Sequence, residues 1–449
     1  MKKIGCLFVS LIFCLSGCLA MPEGIRDVRE LPQDHASYLD LQTAEEQILS
    51  PAEQARLDEH FNIIFFSVWH QERPFHAKPE KVGQDFIKYN FRPGYGENKK
   101  RLPLSWSKKL RENALLEQYP NALGRGITIR NTNLRELPTG SPHFTERDGD
   151  SRGWPFDNLQ RSSVPANTPV FVCHLSADRA WALVETTFTF GWIPAEDYAV
   201  VDEKFAREWE SGRYAVIVRD RTPVLDEGGR FVFMSSVGHI FPMINGRPDK
   251  TEVSVAVAGP DGQAMIRPGY VPAAAAAAKP LRLTRVNAVR IANEMIGEPY
   301  GWGGLYGNRD CSAMTRDFFT VFGIWLPRHS EDQVREAGIF IDLQGLSAEE
   351  KEKVILQKGV PYLSLLWRKG HVMLYIGSKD GRALIFHNIW GLRTKDLRGR
   401  EGRKIIGQAV ITTLQPGREL VNADRTAGTL LDNIAAMNIL KPLSEEGAP

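Results

Sequence analysis

The sequence predicts an α+β fold, in which a C-terminal domain of helices followed by strands is preceded by two small all-β barrels and by a mainly helical or irregular N-terminal region. Two observations support this prediction. From about Arg125 short runs of apolar residues alternate with turn residues, and after residue 284 two helical patterns precede several apolar strands. The length of 449 residues also favours several domains over a single core.

The first eighteen residues have the pattern of an export signal. Lys2 and Lys3 precede an apolar run, residues 7–13, that is too short to span a bilayer. Residues 15–18, Leu-Ser-Gly-Cys, then resemble a bacterial lipobox, in which the cysteine is acylated and becomes the new N-terminus. We therefore predict that Cys18 is lipidated and that the protein is exported and held at the cell envelope by its lipid. A plain signal peptide with a chance cysteine is the alternative.

The N-terminal region is predicted to be part helical and part irregular. Residues 43–70 carry apolar side chains at three- and four-residue spacing, and Thr43 with Glu46 gives this helix a weak capping-box start. Residues 73–106 are aromatic, basic and interrupted by prolines, which predicts an irregular packed segment.

Two similar blocks of short strands, each of roughly seventy residues, predict tandem β modules in the middle of the chain. The alanine run that follows them ends in Lys279-Pro280 and favours a connector. The predicted boundaries are 1–18 for the signal and lipobox, 19–124 for the N-terminal region, 125–200 and 201–273 for the β modules, 274–283 for the linker, 284–415 for the α+β domain and 416–449 for a C-terminal tail.

Charge and histidine content exclude two classes of partner. The chain has 56 basic and 54 acidic residues and no basic aromatic stripe, which argues against nucleic acid. The ten histidines are scattered, without a His-Glu-x-x-His pattern, so we expect neither a metal nor a cofactor. We expect a monomer whose membrane contact is made through the lipid anchor. The residue after the lipobox cysteine is Leu19. Lipoproteins that are retained at the inner membrane commonly have Asp at this position, so by resemblance Leu19 favours the periplasmic face of the outer membrane if the host has one.

Cys311 is the candidate nucleophile. Of the five cysteines, three lie in the signal or lipobox, and Cys173 lies on an apolar strand, which predicts a core thiol. One disulfide between the two body cysteines is the alternative. Cys311 follows a glycine-rich loop and begins a predicted helix. The free N–H groups and the dipole of a helix start favour a thiolate and can stabilise an oxyanion, so we predict a lowered pKa for this thiol.

His371 is the best candidate for the base that a cysteine nucleophile needs, because it begins a predicted strand and can face a helix start. A third polar group must orient the imidazole and hold its tautomer. His387 ends the next strand and would lie beside His371 if the two strands form a hairpin. An incidental histidine at a strand end is the alternative.

Residues 284–414 resemble the NlpC/P60 family of cell-wall cysteine peptidases. The resemblance rests on four ordered motifs, Tyr300-Gly301-Trp302-Gly303-Gly304, Asp310-Cys311-Ser312, Leu326-Pro327-Arg328-His329-Ser330 with Gln333, and Gly370-His371-Val372. It implies a papain-like catalytic domain in which Cys311 is the nucleophile, His371 the base and His387 the orienting residue. Residues 154–199 and 205–272 resemble two types of bacterial SH3 (SH3b) module, and the region before Arg125 resembles the N-terminal stabilising segment of such proteins.

The resemblance also implies a substrate. Relatives with this architecture cut peptidoglycan stem peptides (muropeptides) between D-γ-glutamate and the diamino acid, and they prefer a free N-terminal L-alanine. The residues that match the substrate pocket or neighbour it are Tyr300, Trp302, Asp310, Ser312 and Ser330, with Tyr198 as a possible contribution of the first SH3-like module. For Tyr300, plain loop packing is an equal alternative. The family commonly has Asp where this chain has His329, which weakens the electrostatic case for ammonium recognition.

Two other functions stay open at this point. An N-acetylmuramoyl-L-alanine amidase or an acyltransferase would use the same catalytic residues, although the two SH3-like modules favour a wall peptide. A wall-binding lipoprotein without activity would lack the nucleophile or the base, and both are present in the sequence.

Overall fold

The computed structural model describes residues 24–90, 93–148 and 152–442, so the signal, the lipobox and Cys18 lie outside the described residues. A helical N-terminal region, two antiparallel β units and a mixed C-terminal domain follow one another, which confirms the predicted α+β class. Within these ranges no helix has both the length and the apolar character needed to cross a bilayer.

The N-terminal region consists of four helices, α1 (Arg26–Glu30), α2 (Pro51–Phe66), α3 (Pro79–Tyr89) and α4 (Ser105–Ala114). Helix α2 begins at a complete capping box of Ser50 and Glu53, so the predicted start at Thr43 is wrong. Helix α3 lies inside the segment predicted to be irregular. Pro79 occupies its first turn, where the missing N–H has no intrahelical partner to lose, so this proline begins a helix instead of breaking one.

The first β unit is a seven-stranded antiparallel sheet with the order β3-β2-β6-β5-β4-β1-β7. Its strands are β1 (Gly124–Thr128), β2 (Thr132–Arg135), β3 (Gln160–Val164), β4 (Pro169–Leu175), β5 (Trp181–Glu185), β6 (Phe190–Pro194) and β7 (Tyr198–Val200). Cys173 is a free, fully buried thiol on β4, which confirms its prediction as a core residue.

The second β unit begins with helix α5 (Glu203–Trp209) and has the strand order β10-β9-β13-β12-β11-β8-β14. Its strands are β8 (Tyr214–Ile217), β9 (Thr222–Leu225), β10 (Phe231–Ser235), β11 (Ile240–Gly246), β12 (Lys250–Ala258), β13 (Ala264–Pro272) and β14 (Ala276–Ala278). Strand β14 lies within the predicted linker 274–283, so that prediction is wrong for the alanine run. Backbone pairing with β8 needs no particular side chain, and alanine fits it.

The C-terminal domain packs helices on both faces of a six-stranded antiparallel sheet. Its first elements are α6 (Arg285–Met295), α7 (Cys311–Val321), α8 (Asp332–Arg335), β15 (Ile339–Asp342), α9 (Ala348–Lys358), β16 (Ser364–Arg368), β17 (His371–Lys379), β18 (Arg382–Lys395) and β19 (Glu401–Thr413). Leu374 and Phe386 join the core formed with α6 and α7, whereas Tyr375 and Ile385 face Ile355 of α9. This alternation places the helix that begins at Cys311 on one face of the sheet.

The last elements, α10 (Leu430–Asn433) and β20 (Ala436–Ile439), complete this domain. Strand β20 lies between β15 and β16 in the order β15-β20-β16-β17-β18-β19. The prediction that the domain ends at 415 and is followed by a separate tail is therefore wrong. Four residues of strand with a buried Asn438 at their centre give too short an apolar pattern to indicate a strand.

The upstream units contact the loops that surround Cys311. The Arg328 Nε atom donates to Ser162 Oγ of β3 at 2.9 Å, and Arg309 forms a double hydrogen bond to Asp220 of the second β unit at 2.6 and 2.7 Å. Gln54 of α2 donates to the carbonyl oxygen of Phe322, at the end of α7, at 3.0 Å. The helix that carries the cysteine is thus held from three sides.

Candidate active site

Cys311 is the first residue of α7, and its surroundings are set by the residue before it. Asp310 caps the helix by accepting the N–H of Ala313 at 2.9 Å. Cys311 is 8% exposed, and its sulfur lies against the N–H of Val372, which is adjacent to His371 in β17. The structure therefore brings the predicted nucleophile to the start of the strand that carries the predicted base.

The thiol of Cys311 is the stable form in this site. Burial raises its pKa to about 12 and the Asp310 carboxylate adds to the increase, while the N–H of Val372 and the Arg328 guanidinium act in the opposite direction. The predicted lowering of this pKa is wrong, because the helix start is buried and next to a carboxylate. The nucleophile must lose its proton to a base during the reaction.

His371, His387 and Thr412 form a hydrogen-bonded row on three adjacent strands. His371 Nε2 lies 2.8 Å from His387 Nδ1, and His387 Nε2 lies 3.1 Å from Thr412 Oγ1. The Thr412 hydroxyl donates its single proton to the carbonyl oxygen of Thr413 at 2.8 Å, so it can only accept from His387. His387 then carries its proton on Nε2, His371 carries its own on Nε2, and Nδ1 of His371 is left as the basic nitrogen.

Both rings are neutral at physiological pH. Burial, with a smaller contribution from the charge of Arg368, lowers the pKa of His371 to about 3. Burial, followed by the neighbouring His371, holds the pKa of His387 well below its usual value. A neutral imidazole next to a neutral thiol is the arrangement that general-base catalysis requires before substrate attack.

Asp310 and Ser312 belong to a buried network at the start of α7. Arg328 forms a double ion pair with the Asp310 carboxylate, at 2.6 and 3.0 Å, and donates to Ser312 Oγ at 2.6 Å. Asp310 also accepts the N–H of Gly303 at 3.1 Å. Burial by itself would raise the pKa of Asp310, but Arg328 and the hydrogen bonds keep it below its usual value. These contacts fix the loop to the helix, and the substrate contacts of the two residues stay predictions.

The first β unit closes one end of the site. Trp302 Nε1 donates to the carbonyl oxygen of Asp157 at 3.1 Å, and the Gln160 side chain donates to the carbonyl oxygen of Gly303 at 3.0 Å. Gly303 has a φ of +59°, and a Cβ atom there would come within 2.7 Å of the Gln160 side chain. Glycine at this position therefore permits the close approach of loop and barrel.

An aromatic wall continues from this contact. Its ring contacts join Trp302 to Phe156 at 5.1 Å, Trp390 to Trp154 at 5.6 Å and Trp390 to Tyr300 at 5.9 Å between centroids. Burial raises the pKa of Tyr300, so its hydroxyl stays protonated. Tyr300 thus packs on the wall beside Cys311, and Trp302 is partly exposed within it.

The remaining predicted pocket residues lie in different settings. The His329 side chain is exposed and Ser330 is half-buried at the end of the loop before α8. Tyr198 pairs with Thr128 in the first sheet and packs in that unit's own core, next to Gly126. The structure does not bring Tyr198 to the loop of Cys311, because alternation along β7 directs it into the barrel.

Three residues have structural roles that the sequence did not predict. Arg328 and Gln333 lie inside the quoted motif, and the Gln333 amide donates to the carbonyl oxygens of Ser312 and Pro327, both at 2.8 Å. Thr412 lies in no motif, and only strand pairing reveals it. No group of three or more His, Cys, Asp and Glu side chains in the described ranges is arranged to hold a metal ion.

The site has the parts of a cysteine hydrolase, and four segments of the chain match known domain families. Residues 5–119 match the N-terminal NlpC/P60 stabilising domain, 142–194 an SH3 domain of the SH3b1 type, 202–247 an SH3 domain of the SH3b2 type and 297–401 the NlpC/P60 family. The C-terminal domain is therefore similar to the NlpC/P60 family over residues 297–401, and it follows a stabilising domain and two SH3 domains in the same chain.

A solved structure has the same architecture. An NlpC/P60 endopeptidase from Photobacterium damselae subsp. piscicida is 24% identical, with a TM-score of 0.82 over 94% of this chain and 98% of that chain. An NlpC/P60 family protein from Bacillus cereus is 19% identical, with a TM-score of 0.42 over 64% of this chain and 83% of that chain. No curated protein sequence matches the chain.

Proposed function

We propose that the protein hydrolyses the bond between the γ-carbonyl of D-glutamate and the diamino acid in peptidoglycan stem peptides. The observation that carries this proposal is the hydrogen-bonded row of His371, His387 and Thr412 beside a cysteine at a helix start. The NlpC/P60 domain and the two SH3 domains support a wall peptide as the substrate.

In the row of His371, His387 and Thr412, His371 acts first as a base and then as an acid. The sulfur of Cys311 attacks the γ-carbonyl carbon while its proton passes to Nδ1 of His371, and His387 stabilises the imidazolium through Nδ1. The C–N bond breaks as His371 returns the proton to the leaving amine, which leaves a thioester on Cys311. Water then attacks the thioester with His371 again as base, and the released sulfur takes back the proton, giving a free glutamate carboxylic acid.

The start of α7 supplies the electrostatic stabilisation. N–H groups in the first turn of a helix have no intrahelical acceptor, and Asp310 accepts only that of Ala313, so the N–H of Cys311 is the donor for the negative charge that develops on the carbonyl oxygen. Asp310 and Arg328 hold this turn in place through the buried network. Removing one such donor from an acyl-transfer enzyme lowers kcat by about 10²- to 10³-fold.

We extend the proposal to a preference for stem peptides with a free N-terminal L-alanine. The contacts of Trp302 with Asp157 and of Gly303 with Gln160 support it, because they join the first β unit to one end of the site, where we expect this unit to exclude an attached sugar. A free amine would find polar groups there, although His329 stands where relatives commonly have a carboxylate.

A direct comparison tests this preference. The free tetrapeptide and the same peptide attached to N-acetylmuramic acid are incubated side by side with the protein, and initial rates are measured. We expect the free peptide to be cut at least about tenfold faster. Equal rates would remove the preference and leave the peptidase proposal in place. Release of the intact peptide from the sugar would instead identify an amidase.

A further inference from the structure

Three arginines gather at the end of the sheet that carries His371. Arg368 ends β16 and lies directly opposite His371 in the β16–β17 pair. Strand β18 runs past the start of β17, and there Arg393 lies directly opposite Arg403 of β19. Arg368 therefore lies beside His371 at the end of β16, and the extended β18–β19 arm carries Arg393 and Arg403 past this end of the sheet.

These charges repel one another in the unliganded protein. Like charges that face each other across paired strands are destabilising. Burial lowers the pKa of Arg368, and the charges of Arg393 and Arg403 lower it further, so the three groups are close enough to interact. A bound anion would remove this repulsion.

Two other cations of the arm are paired with carboxylates. Lys395 contacts Asp424 at 2.9 Å and Arg400 contacts Asp396 at 2.6 Å. In the part of the chain that the structure describes, no carboxylate bonds to Arg368 or Arg393, and the Nε atom of Arg368 is buried without a hydrogen-bond partner. The unpaired Nε atom of Arg368 thus lies on the residue directly opposite His371.

Two further polar groups beside the active site have no hydrogen-bond partner among the described residues. Asn388, which follows His387, is 1% exposed, and both atoms of its amide are unpaired. The Nε1 atom of Trp390 is also buried and unpaired, on the ring that contacts Tyr300. A buried donor without an acceptor is destabilising, so these groups are expected to find their partners in a ligand.

We propose that Arg368, Arg393 and Arg403 bind a carboxylate of the substrate that flanks the scissile bond, with Asn388 and Trp390 as neighbouring hydrogen-bond donors. This inference rests on the proposed function. A guanidinium group binds a carboxylate through two parallel hydrogen bonds and keeps its charge when partly buried. The arginines make a free carboxylate at this position a requirement for efficient cleavage.

Two carboxylates of the proposed substrate have the required chemistry. One is the α-carboxylate of the γ-linked D-glutamate on the acyl side of the bond. The other is the side-chain carboxylate of a diaminopimelate-type residue on the leaving side, which a lysine at that position lacks. Both are carboxylates within one residue of the bond that is cut, and matched peptides distinguish them.

The experiment uses three synthetic peptides and the full exported chain. The reference is L-Ala-γ-D-Glu-diaminopimelate, the second peptide has a carboxamide in place of the D-glutamate α-carboxylate, and the third has lysine in place of diaminopimelate. We expect kcat/KM for one of the two altered peptides to be about 10- to 100-fold lower than for the reference. The peptide that is affected identifies which carboxylate the arginines bind.

The variants connect this discrimination to the arginines. Arg393→Gln changes an exposed side chain and Arg368→Gln changes a half-buried one. In both variants we expect kcat/KM for the reference peptide to fall to the value that the wild-type protein has for the affected peptide. Arg398→Gln, at the tip of the same arm, is the matched control and should retain the full discrimination. The inference is overturned if the wild-type protein cuts all three peptides equally well, or if both variants still discriminate. Failure to cut any of the peptides would instead count against the proposed function.

Discussion

His371 Nε2 and His387 Nδ1 lie 2.8 Å apart, and this contact determines which nitrogen of His371 receives a proton. The donor and acceptor of this hydrogen bond are determined by Thr412 on the far side of His387. The Thr412 hydroxyl donates to the carbonyl oxygen of Thr413, so it can only accept from His387. A threonine remote from the thiol therefore controls the tautomer of the base.

Thr412→Val is expected to lower kcat about tenfold and to leave KM unchanged, because it removes one hydrogen bond that orients His387 and does not touch the substrate. Thr412→Ser keeps the hydroxyl and should restore most of the activity. Steady-state kinetics on the free tetrapeptide separate the two parameters. A valine variant with wild-type kcat would show that the tautomer is fixed in another way.

Removing the base should cost more than removing the residue that orients it. We expect His371→Ala to lower kcat by about 10³-fold or more, whereas His387→Asn should retain measurable activity, since His387 acts only through His371. The same kinetic assay measures both variants, with thermal unfolding as the check on folding. Equal and mild losses at the two positions would indicate a different base.

The free energy of unfolding should decrease as the pH is lowered. One cause is His35, which is buried between Phe386 and Tyr362. Burial lowers its pKa to about 3, with Asp34 acting in the opposite direction. Below the usual imidazole pKa of about 6.5 the unfolded chain binds a proton that the folded protein does not, so the free energy of unfolding decreases as pH falls through this window, by about 1.4 kcal/mol per pH unit. In His35→Phe, urea unfolding between pH 7 and pH 5 should show a shallower decrease. Parallel curves for the two proteins would contradict this assignment.

We propose that Cys18 carries the lipid that anchors the protein at the cell envelope. Cys18→Ser should then give an exported protein that fractionates with the soluble material, because the acyl chains supply the membrane affinity. Fractionation of cells that express the two forms measures this directly. Unchanged membrane association of the serine variant would contradict the lipobox interpretation.

Most of the catalytic residues could be predicted from short sequence motifs. Cys311 and His371 are flanked by glycine and by strand or helix patterns that fix their backbone settings, so both were placed on the correct elements. His387 follows from the pairing of two adjacent strands, which short-range patterns indicate. The order of domains follows from the change of hydrophobic period.

Features that depend on long-range packing were not predictable. Strand β20 joins the sheet from residues 436–439, and nothing local distinguishes Thr412 from other strand threonines. The pKa of Cys311 was predicted in the wrong direction because the helix start is visible in the sequence, whereas the burial that outweighs it exists only in the folded chain. The buried network of Asp310 and Ser312 was not predictable for the same reason, since Arg328 reaches them only through folding.

The most direct test of the central claim is mass analysis of a defined free tetrapeptide after incubation with the wild-type protein and with Cys311→Ala. The account predicts that the wild type releases L-alanyl-D-glutamate and a fragment that begins with the diamino acid. It predicts no cleavage by the alanine variant and an unchanged thermal midpoint, because little buried volume is lost. Near-wild-type cleavage by Cys311→Ala, or cleavage by the wild type at another bond, would contradict the account.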